Sequence, residues 1–138
     1  MQSTCLLKIN IYLCIFIYIN MKLKKAKIQM RKGILEYCIL KILSSKDSYA
    51  FEIIKKLKSL KLIVVEGTLY PLLSRLKNGN FLSYRWEESN QGPPRKYYKL
   101  TSEGEIFLKE LDNSWEELAE AVNKIRAIKK ENKIVLKK

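Results

Sequence analysis

The sequence predicts a mainly α-helical winged helix-turn-helix with a small β-hairpin, followed by one long C-terminal dimerisation helix. Three observations carry that expectation. Apolar residues recur at helical spacing in three consecutive stretches after residue 30, two aromatic-rich runs flank a Gly-Pro segment, and a further helical stripe runs from Leu108 to Ile125. Three helices, a hairpin and a helix in that order fit one compact domain with an extension. A chain of 138 residues with 47% hydrophobic content has room for that much core.

The first thirty residues stand outside this pattern. Residues 5–19, CLLKINIYLCIFIYI, form an apolar run broken by Lys8 and Asn10, and a basic stretch from Met21 to Lys32 follows. The run is shorter than the roughly 20 residues a bilayer core requires and carries a charge near its start, which argues against a spanning helix. A signal peptide has its basic cluster ahead of the apolar stretch, the reverse of this order, and no small-x-small cleavage site precedes Lys22. Two readings stay open, a weak membrane anchor and a start of translation at Met21 or Met30. An inserted run would leave the domain behind its positive flank in the cytoplasm. Residues 1–29 are accordingly set apart as an extension, 30–100 as the winged domain, 101–129 as the long helix and 130–138 as a basic tail.

From Arg31 the spacing of Ile34, Leu35, Cys38, Ile39, Ile42 and Leu43 predicts a first helix that ends near the turn Ser44–Asp47. Asp47 or Ser48 caps a second, with Tyr49, Ile53, Ile54, Leu57 and Leu60 on its apolar side and Lys55, Lys56 and Lys58 solvated. Glu66, Gly67 and Thr68 open a third helix whose buried stripe is Leu69, Leu72, Leu73 and Leu76, and Asn78-Gly79-Asn80 stops it. Phe81–Glu87 and Lys96–Leu100 read as the two strands of a hairpin, joined by a long tip over Ser89–Pro94. Thr101, Gly104 and Glu105 mark the entry to the last helix, which reaches at least Ile125.

Composition narrows the function. Lys and Arg outnumber Asp and Glu 27 to 14, a formal net charge of +13 that attracts polyanions, nucleic acid or an anionic membrane surface above all. The chain contains no histidine, which removes the commonest general base and metal ligand, and neither a phosphate loop nor a nucleophile beside a base is visible. No catalytic or metal site and no cofactor is expected, and the chain does not read as an enzyme. Cys5, Cys14 and Cys38 are odd in number and in no metal-binding spacing, which suits a reducing cytoplasm; Cys38 falls in an apolar helical pattern as a small core residue.

The segments KGILEYCILKIL, DSYAFEIIKKL, GTLYPLLSRLKNGNFL and GPPRKYYKLTSEG resemble the PadR family of transcriptional regulators over roughly residues 30–126. The combination of YPLLSRL with RKYYKLT at this separation is the specific part of the likeness. Ala50, where the family commonly has glycine, and the apolar extension depart from it. The resemblance implies a small winged-helix dimer that generally represses transcription until an effector or stress signal releases it.

Burying the third helix's leucines turns Thr68, Tyr70, Ser74, Arg75 and Lys77 outward or to its flanks, the layout of a recognition helix for double-stranded DNA. By resemblance, Thr68 and Tyr70 approach the groove while Arg75 and Lys77 contact phosphate or base; a salt bridge is the competing role for Arg75. Arg95 and Lys96 on the hairpin tip would add a backbone or minor-groove contact. Strand alternation sends Tyr97 and Tyr98 to opposite faces, one of them to the core.

In the final helix Leu108, Leu111, Trp115, Leu118, Val122 and Ile125 alternate at spacings of 3 and 4, a seam for lengthwise packing against another helix. The expected partner is a second copy, with the first helix joining in as the family implies, so that two recognition helices meet a pseudo-palindromic operator about one DNA turn apart. Folding of the helix back onto its own domain is the alternative. Trp115 matches the family's interface tryptophan, which in multidrug-sensing members stacks flat aromatic compounds. Interface packing and contact with a small aromatic effector are both open readings for it.

Overall fold

The computed structural model describes residues 2–62, 64 and 66–128. Its elements are α1 (Gln2–Ser45), β1 (Ser48–Tyr49), α2 (Ala50–Ser59), α3 (Glu66–Asn78), β2 (Leu82–Ser89), β3 (Gly92–Leu100) and α4 (Ser102–Ala127). The basic tail expected over 130–138 lies outside the described residues.

The extension and the first helix are one element. No proline or glycine pair separates them, and the one capping-type residue at the junction, Asn20, donates to the Phe16 carbonyl at 2.8 Å within the helix, so α1 runs on to Ser45. Its early apolar side chains lie in the open: Ile9, Ile11, Ile15 and Ile17 are all exposed, and they are distributed around the whole circumference. Among the described residues no helix is long and apolar enough to cross a membrane. Only the last third of α1 is packed. There the buried line is Leu35, Ile39, Leu40 and Leu43, with Ile34, Cys38 and Ile42 half-covered at its edge. The expected stripe is thus turned toward Leu40, because α4 and β3 both pack on that side.

Ile39, Leu40, Ile53, Leu57, Leu69 and Leu73 are the largest fully buried side chains, and they place the core where α1, α2 and α3 meet. Burying such a side chain contributes about 1.5–3 kcal/mol each. Leu60, expected on α2's apolar face, is exposed, since the helix has already ended at Ser59. Lys61 and Asn80 close α2 and α3 in the same way, each taking a left-handed conformation (φ 59° and 61°). The next residue's N–H then reaches back to the helix, Leu62 to Leu57 at 2.9 Å and Phe81 to Leu76 at 3.0 Å, so terminal carbonyls are satisfied.

The start of α2 differs from expectation. Ser48 and Tyr49 form a short strand against β3, pairing with Tyr98 and Tyr97, so the sheet has three antiparallel strands in the order β1-β3-β2. Tyr49, not Asp47 or Ser48, occupies the cap, where its N–H donates to the Glu52 carboxylate at 3.3 Å. Asp47 is instead ion-paired with Arg85 on β2. Ala50 is buried at the first turn of α2.

The hairpin is longer than expected and its tip shorter. β2 and β3 run to Ser89 and Gly92, leaving only Asn90 and Gln91 as the turn, so Pro93 and Pro94 belong to a strand. A register shift between Glu87 and Ser89 supplies the local twist at that end. Thr101 caps α4 as expected. Its hydroxyl accepts from the Gly104 N–H at 3.0 Å and donates to the Asn80 carbonyl at 2.5 Å, which ties the entry of α4 to the exit of α3.

Candidate nucleic-acid interface

The residues expected to face DNA on α3 separate into two flanks. Seven residues bring a helix almost back to the same face, so Thr68 and Arg75 form one pair and Tyr70 and Lys77 another. Thr68 is half-buried and lines a cleft of about 640 Å³ between α1 and the α2–α3 connection, together with Lys24, Lys27, Arg31, Leu35 and Leu62. Arg75 points the same way and is bonded to Glu36 of α1, with Nε to Oε1 at 2.6 Å. Its guanidinium is therefore engaged within the domain.

Tyr70 and Lys77 lie on the flank toward the sheet. Lys77 shares a surface depression with Leu82 and Tyr84 of β2. The buried Tyr98 phenol is pushed above its ordinary pKa, first by burial and then by the neighbouring Tyr70 and Tyr84. Tyr70 is 51% exposed, and Ser74 and Lys77 are open too. The surface of α3 left free by its own domain is thus Tyr70, Ser74 and Lys77, reaching toward the wing.

Arg95 and Lys96 do not act from a common tip. They sit in β3, back from the turn, and alternate strand residues point to opposite faces. Arg95 is on the outer face with Tyr49, Arg85 and Tyr97. Its guanidinium lies 4.6 Å from the Tyr49 ring centroid and donates to the Tyr49 hydroxyl at 3.1 Å. Lys96 is on the inner face, cross-strand from Trp86, with its ammonium 4.1 Å from the Tyr84 ring and 5.1 Å from that of Trp86. Of the adjacent tyrosines, Tyr98 is the core residue, and Tyr97 stays half-exposed beneath Arg85. Tyr84 beside Lys77 of α3, Trp86 next to it on the same face of β2, and Glu36 behind Arg75 were not singled out from sequence. The alternation Tyr84-Arg85-Trp86 was the available signal.

The α4 stripe divides as well. Leu108 is buried in its own domain and Leu111 half-buried there, which corrects their assignment to a surface open to a partner. The heptad spacing is the same for both roles, and the first half of α4 is close enough to α1 and β3 to pack on them. Beyond that point Leu118, Val122 and Ile125 are 54%, 44% and 65% exposed. Trp115 lies between the two halves, stacked on Tyr37 with centroids 6.2 Å apart and still 38% exposed.

α1 and α4 are joined by a polar clamp. The Tyr37 hydroxyl donates to Asp112 at 2.7 Å and the Lys41 ammonium binds both oxygens of the same carboxylate at 2.8 and 2.9 Å. Lys41 first, and Tyr37 second, hold the Asp112 carboxyl below the usual range, while the hydrogen bond to Asp112 leads in pushing the Tyr37 phenol up to about 12. Burial raises the Cys38 thiol, as expected of a packed and unreactive side chain.

Comparison with known proteins agrees with this architecture. The profile of the transcriptional regulator PadR-like family matches residues 39–110. The X-ray structure of a PadR-like transcription factor from Bacteroides fragilis is 65% identical, with 73% of this chain covering 98% of that one at a TM-score of 0.62. A PadR-like transcriptional regulator from Bacillus cereus is 37% identical, with 73% and 99% covered and a TM-score of 0.66. An uncharacterized protein from Lysinibacillus sphaericus is 30% identical over 95 residues, 67% of this chain and 87% of its own length.

Proposed function

The chain belongs to the PadR-like family of transcriptional regulators, a winged-helix DNA-binding fold, and we propose that it is a homodimeric, sequence-specific repressor of transcription that an effector releases. The observation that carries the DNA-reading part is the free surface Tyr70, Ser74 and Lys77 on α3, side by side with the inner face of the wing. Tyr70 reads base edges in the major groove, Ser74 and Lys77 hold phosphate, and the wing adds Lys96. Thr68 and Arg75 position α3 against α1, and Arg95 stiffens the wing through Tyr49.

The dimer rests on the exposed end of α4. Leu118, Val122 and Ile125 extend past the domain that covers Leu108, and Glu116, Glu117 and Glu120 accompany them along the helix. The α1 cleft has the complementary character, an apolar floor of Ile28, Ile34 and Leu35 under a rim of Lys24, Lys27, Arg31 and Lys32. A second copy's α4 laid in that cleft covers both apolar surfaces and pairs opposite charges. Trp115, half-open beside Tyr37, is the contact for a flat aromatic effector, since a ligand there alters how α4 lies on α1.

A gel shift with the DNA upstream of the chain's own coding sequence, and a genome-wide pull-down of bound DNA, test the proposal. Repression predicts a pseudo-palindromic site overlapping promoters and raised transcription on deletion; no preference for any duplex over random DNA overturns it. The open apolar side chains of Ile9 to Ile19 favour a second reading, a module held at a membrane. That reading predicts recovery of the full chain with membranes and not with promoter DNA.

A further inference from the structure

Between Lys8 and Lys22 the α1 helix carries no charged residue, and its apolar side chains are open to water on every side. Successive residues turn a helix by about 100°, so Ile9, Ile11, Ile15 and Ile17 point in four different directions. A helix that is apolar all round has to be surrounded, and a single stripe of contact would not cover it. Its polar groups allow that, because the helical backbone is unbroken and the Asn20 amide donates to the Phe16 carbonyl at 2.8 Å. Cations stand at both ends of the segment. Lys8 precedes it, and Lys22 and Lys25 follow, the Lys22 ammonium 5.4 Å from the Tyr18 ring centroid. Both of these lysines are exposed and lie across the helix from Lys24, Lys27 and Arg31, which line the cleft beside Thr68.

We propose that this segment docks on a membrane of anionic phospholipid, lying at a low angle in one leaflet, sunk far enough for acyl chains to close round it, with lipid phosphates at Lys8 and at Lys22 and Lys25. The inference rests on the membrane reading of these side chains and adds the lipid class and the depth, and it leaves Tyr70, Ser74 and Lys77 of α3 to DNA. Length fixes the depth. From Ile9 to Met21 the helix is about 20 Å long, short of the roughly 30 Å hydrocarbon core. Standing upright would carry Lys8 into the hydrocarbon, whereas lying low puts both charged ends among headgroups. Leu35, the first buried residue of α1 among the described residues, is about 20 Å further along the helix, so the winged domain stays in water. Charge selects the lipid. Each lysine beside an anionic surface adds attraction that a neutral headgroup does not supply. A second copy is the less suitable occupant, because helices packed side by side bring like lysines together and the first acid in the chain is Glu36. Duplex DNA would neutralise the lysines but leave Ile9 to Ile19 in water.

The test is flotation of the full chain with vesicles of phosphatidylcholine alone and with vesicles of phosphatidylcholine and phosphatidylglycerol in equal parts. The chain should float with the mixed vesicles and far less with the neutral ones. Lys22→Gln with Lys25→Gln should lower partition into the mixed vesicles about fivefold for each lysine removed, and Ile15→Asp with Phe16→Asp should abolish it. All four positions are exposed, so thermal unfolding of these variants should match that of the unsubstituted chain. Phe16→Trp reads the depth. Its emission should be quenched by lipids brominated in the acyl chains, beyond the quenching of the unsubstituted chain with Trp86 and Trp115 alone. Equal flotation with both kinds of vesicle overturns the inference and leaves the membrane reading standing. Flotation that survives Ile15→Asp with Phe16→Asp overturns it as well, since the charge of the chain is then sufficient, and so does an unquenched Phe16→Trp on floated vesicles. Flotation with neither kind overturns the membrane reading too, and a sedimenting mass that the two aspartates lower would then assign the segment to a second copy. The gel shift decides the DNA-binding reading separately, so neither failure can be mistaken for the other.

Discussion

The Phe81 carbonyl oxygen occupies the place where a side chain on Gly104 would have to begin, 2.1 Å from an ideal Cβ. The same carbonyl accepts the Thr101 N–H at 3.1 Å, and the Phe81 ring stacks on Phe107 one turn further along α4, with centroids 4.1 Å apart. The first turn of α4 is fixed on the β2 entrance by this close approach. Gly104→Ala should therefore destabilise the protein by about 3 kcal/mol despite alanine's better helix propensity, since backbone, not a flexible side chain, has to move. Gly33→Ala is the control. Its Cβ meets nothing within 4 Å in the middle of α1, so it should stabilise by about 0.5–1 kcal/mol. Denaturant unfolding of the two variants reads both signs, and a neutral Gly104→Ala would show that α4 does not need this approach.

The Asp112 clamp sets a pH window. The Asp112 carboxyl is depressed in the folded state, so its contribution is present above the unfolded value of about 3.9 and is lost as pH falls through the folded one. The Tyr37 phenol is raised to about 12, so its contribution is complete below its unfolded value near 10 and is lost as pH rises toward 12. Asp112→Asn should flatten the acid limb of a Tm-against-pH curve and also reduce the alkaline limb. If Asp112→Asn leaves both limbs as they were, the clamp does not contribute to folding.

Lys77→Ala should lower the slope of log affinity against log salt by about 1, the effect of one lost phosphate contact. Arg75→Ala should leave the slope unchanged, because its guanidinium is held by Glu36, and the exposed pair contributes at most about 1 kcal/mol to stability. Tyr70→Ala should change which duplexes are preferred, at about 1–3 kcal/mol for a lost base contact. Filter binding over a range of salt separates the three outcomes, and a slope that falls for Arg75→Ala reassigns that residue to phosphate.

Charge placed at Leu118 and Val122 tests the dimer without disturbing the domain. Leu111 is packed against its own core and a charged residue there would unfold it, whereas Leu118 and Val122 are open in the single chain. Leu118→Glu with Val122→Lys should give a folded monomer, losing several kcal/mol of association as charges meet an apolar cleft, and operator binding should fall far more than binding to random DNA. Sedimentation and gel shift on one sample compare mass with affinity. A dimer that survives both changes is held by another surface.

Much of the fold was legible because its signals are local. Thr101 caps α4 and Asn80 ends α3 at the places their chemistry predicts, and the leucine stripe of α3 is buried apart from half-covered Leu72. What was missed is non-local. β1 is two residues long and exists because Tyr97 and Tyr98 pair with it from nearly fifty positions away. Whether Leu108 meets its own domain or a partner is not encoded in its spacing, and neither is the choice of Arg75 between Glu36 and a phosphate. The opposite faces of Arg95 and Lys96 follow from strand alternation, yet that inference requires knowing that β3 starts at Gly92 and not after the prolines.

Glu36 and Tyr37 are consecutive residues, and they grip different helices: Glu36 holds α3 through Arg75, and Tyr37 holds α4 through Asp112 and the stack on Trp115. A single turn of α1 is therefore a fulcrum between the helix that carries Tyr70 and the helix that carries Leu118. Packed interiors change arrangement in steps and do not bend smoothly. Sliding α4 along α1 must accordingly break the Tyr37 contacts or drag this turn along with Arg75 attached. In the proposed dimer the spacing between two reading heads and the angle of each one would be set by the same few side chains, so neither could be adjusted while the other stayed fixed.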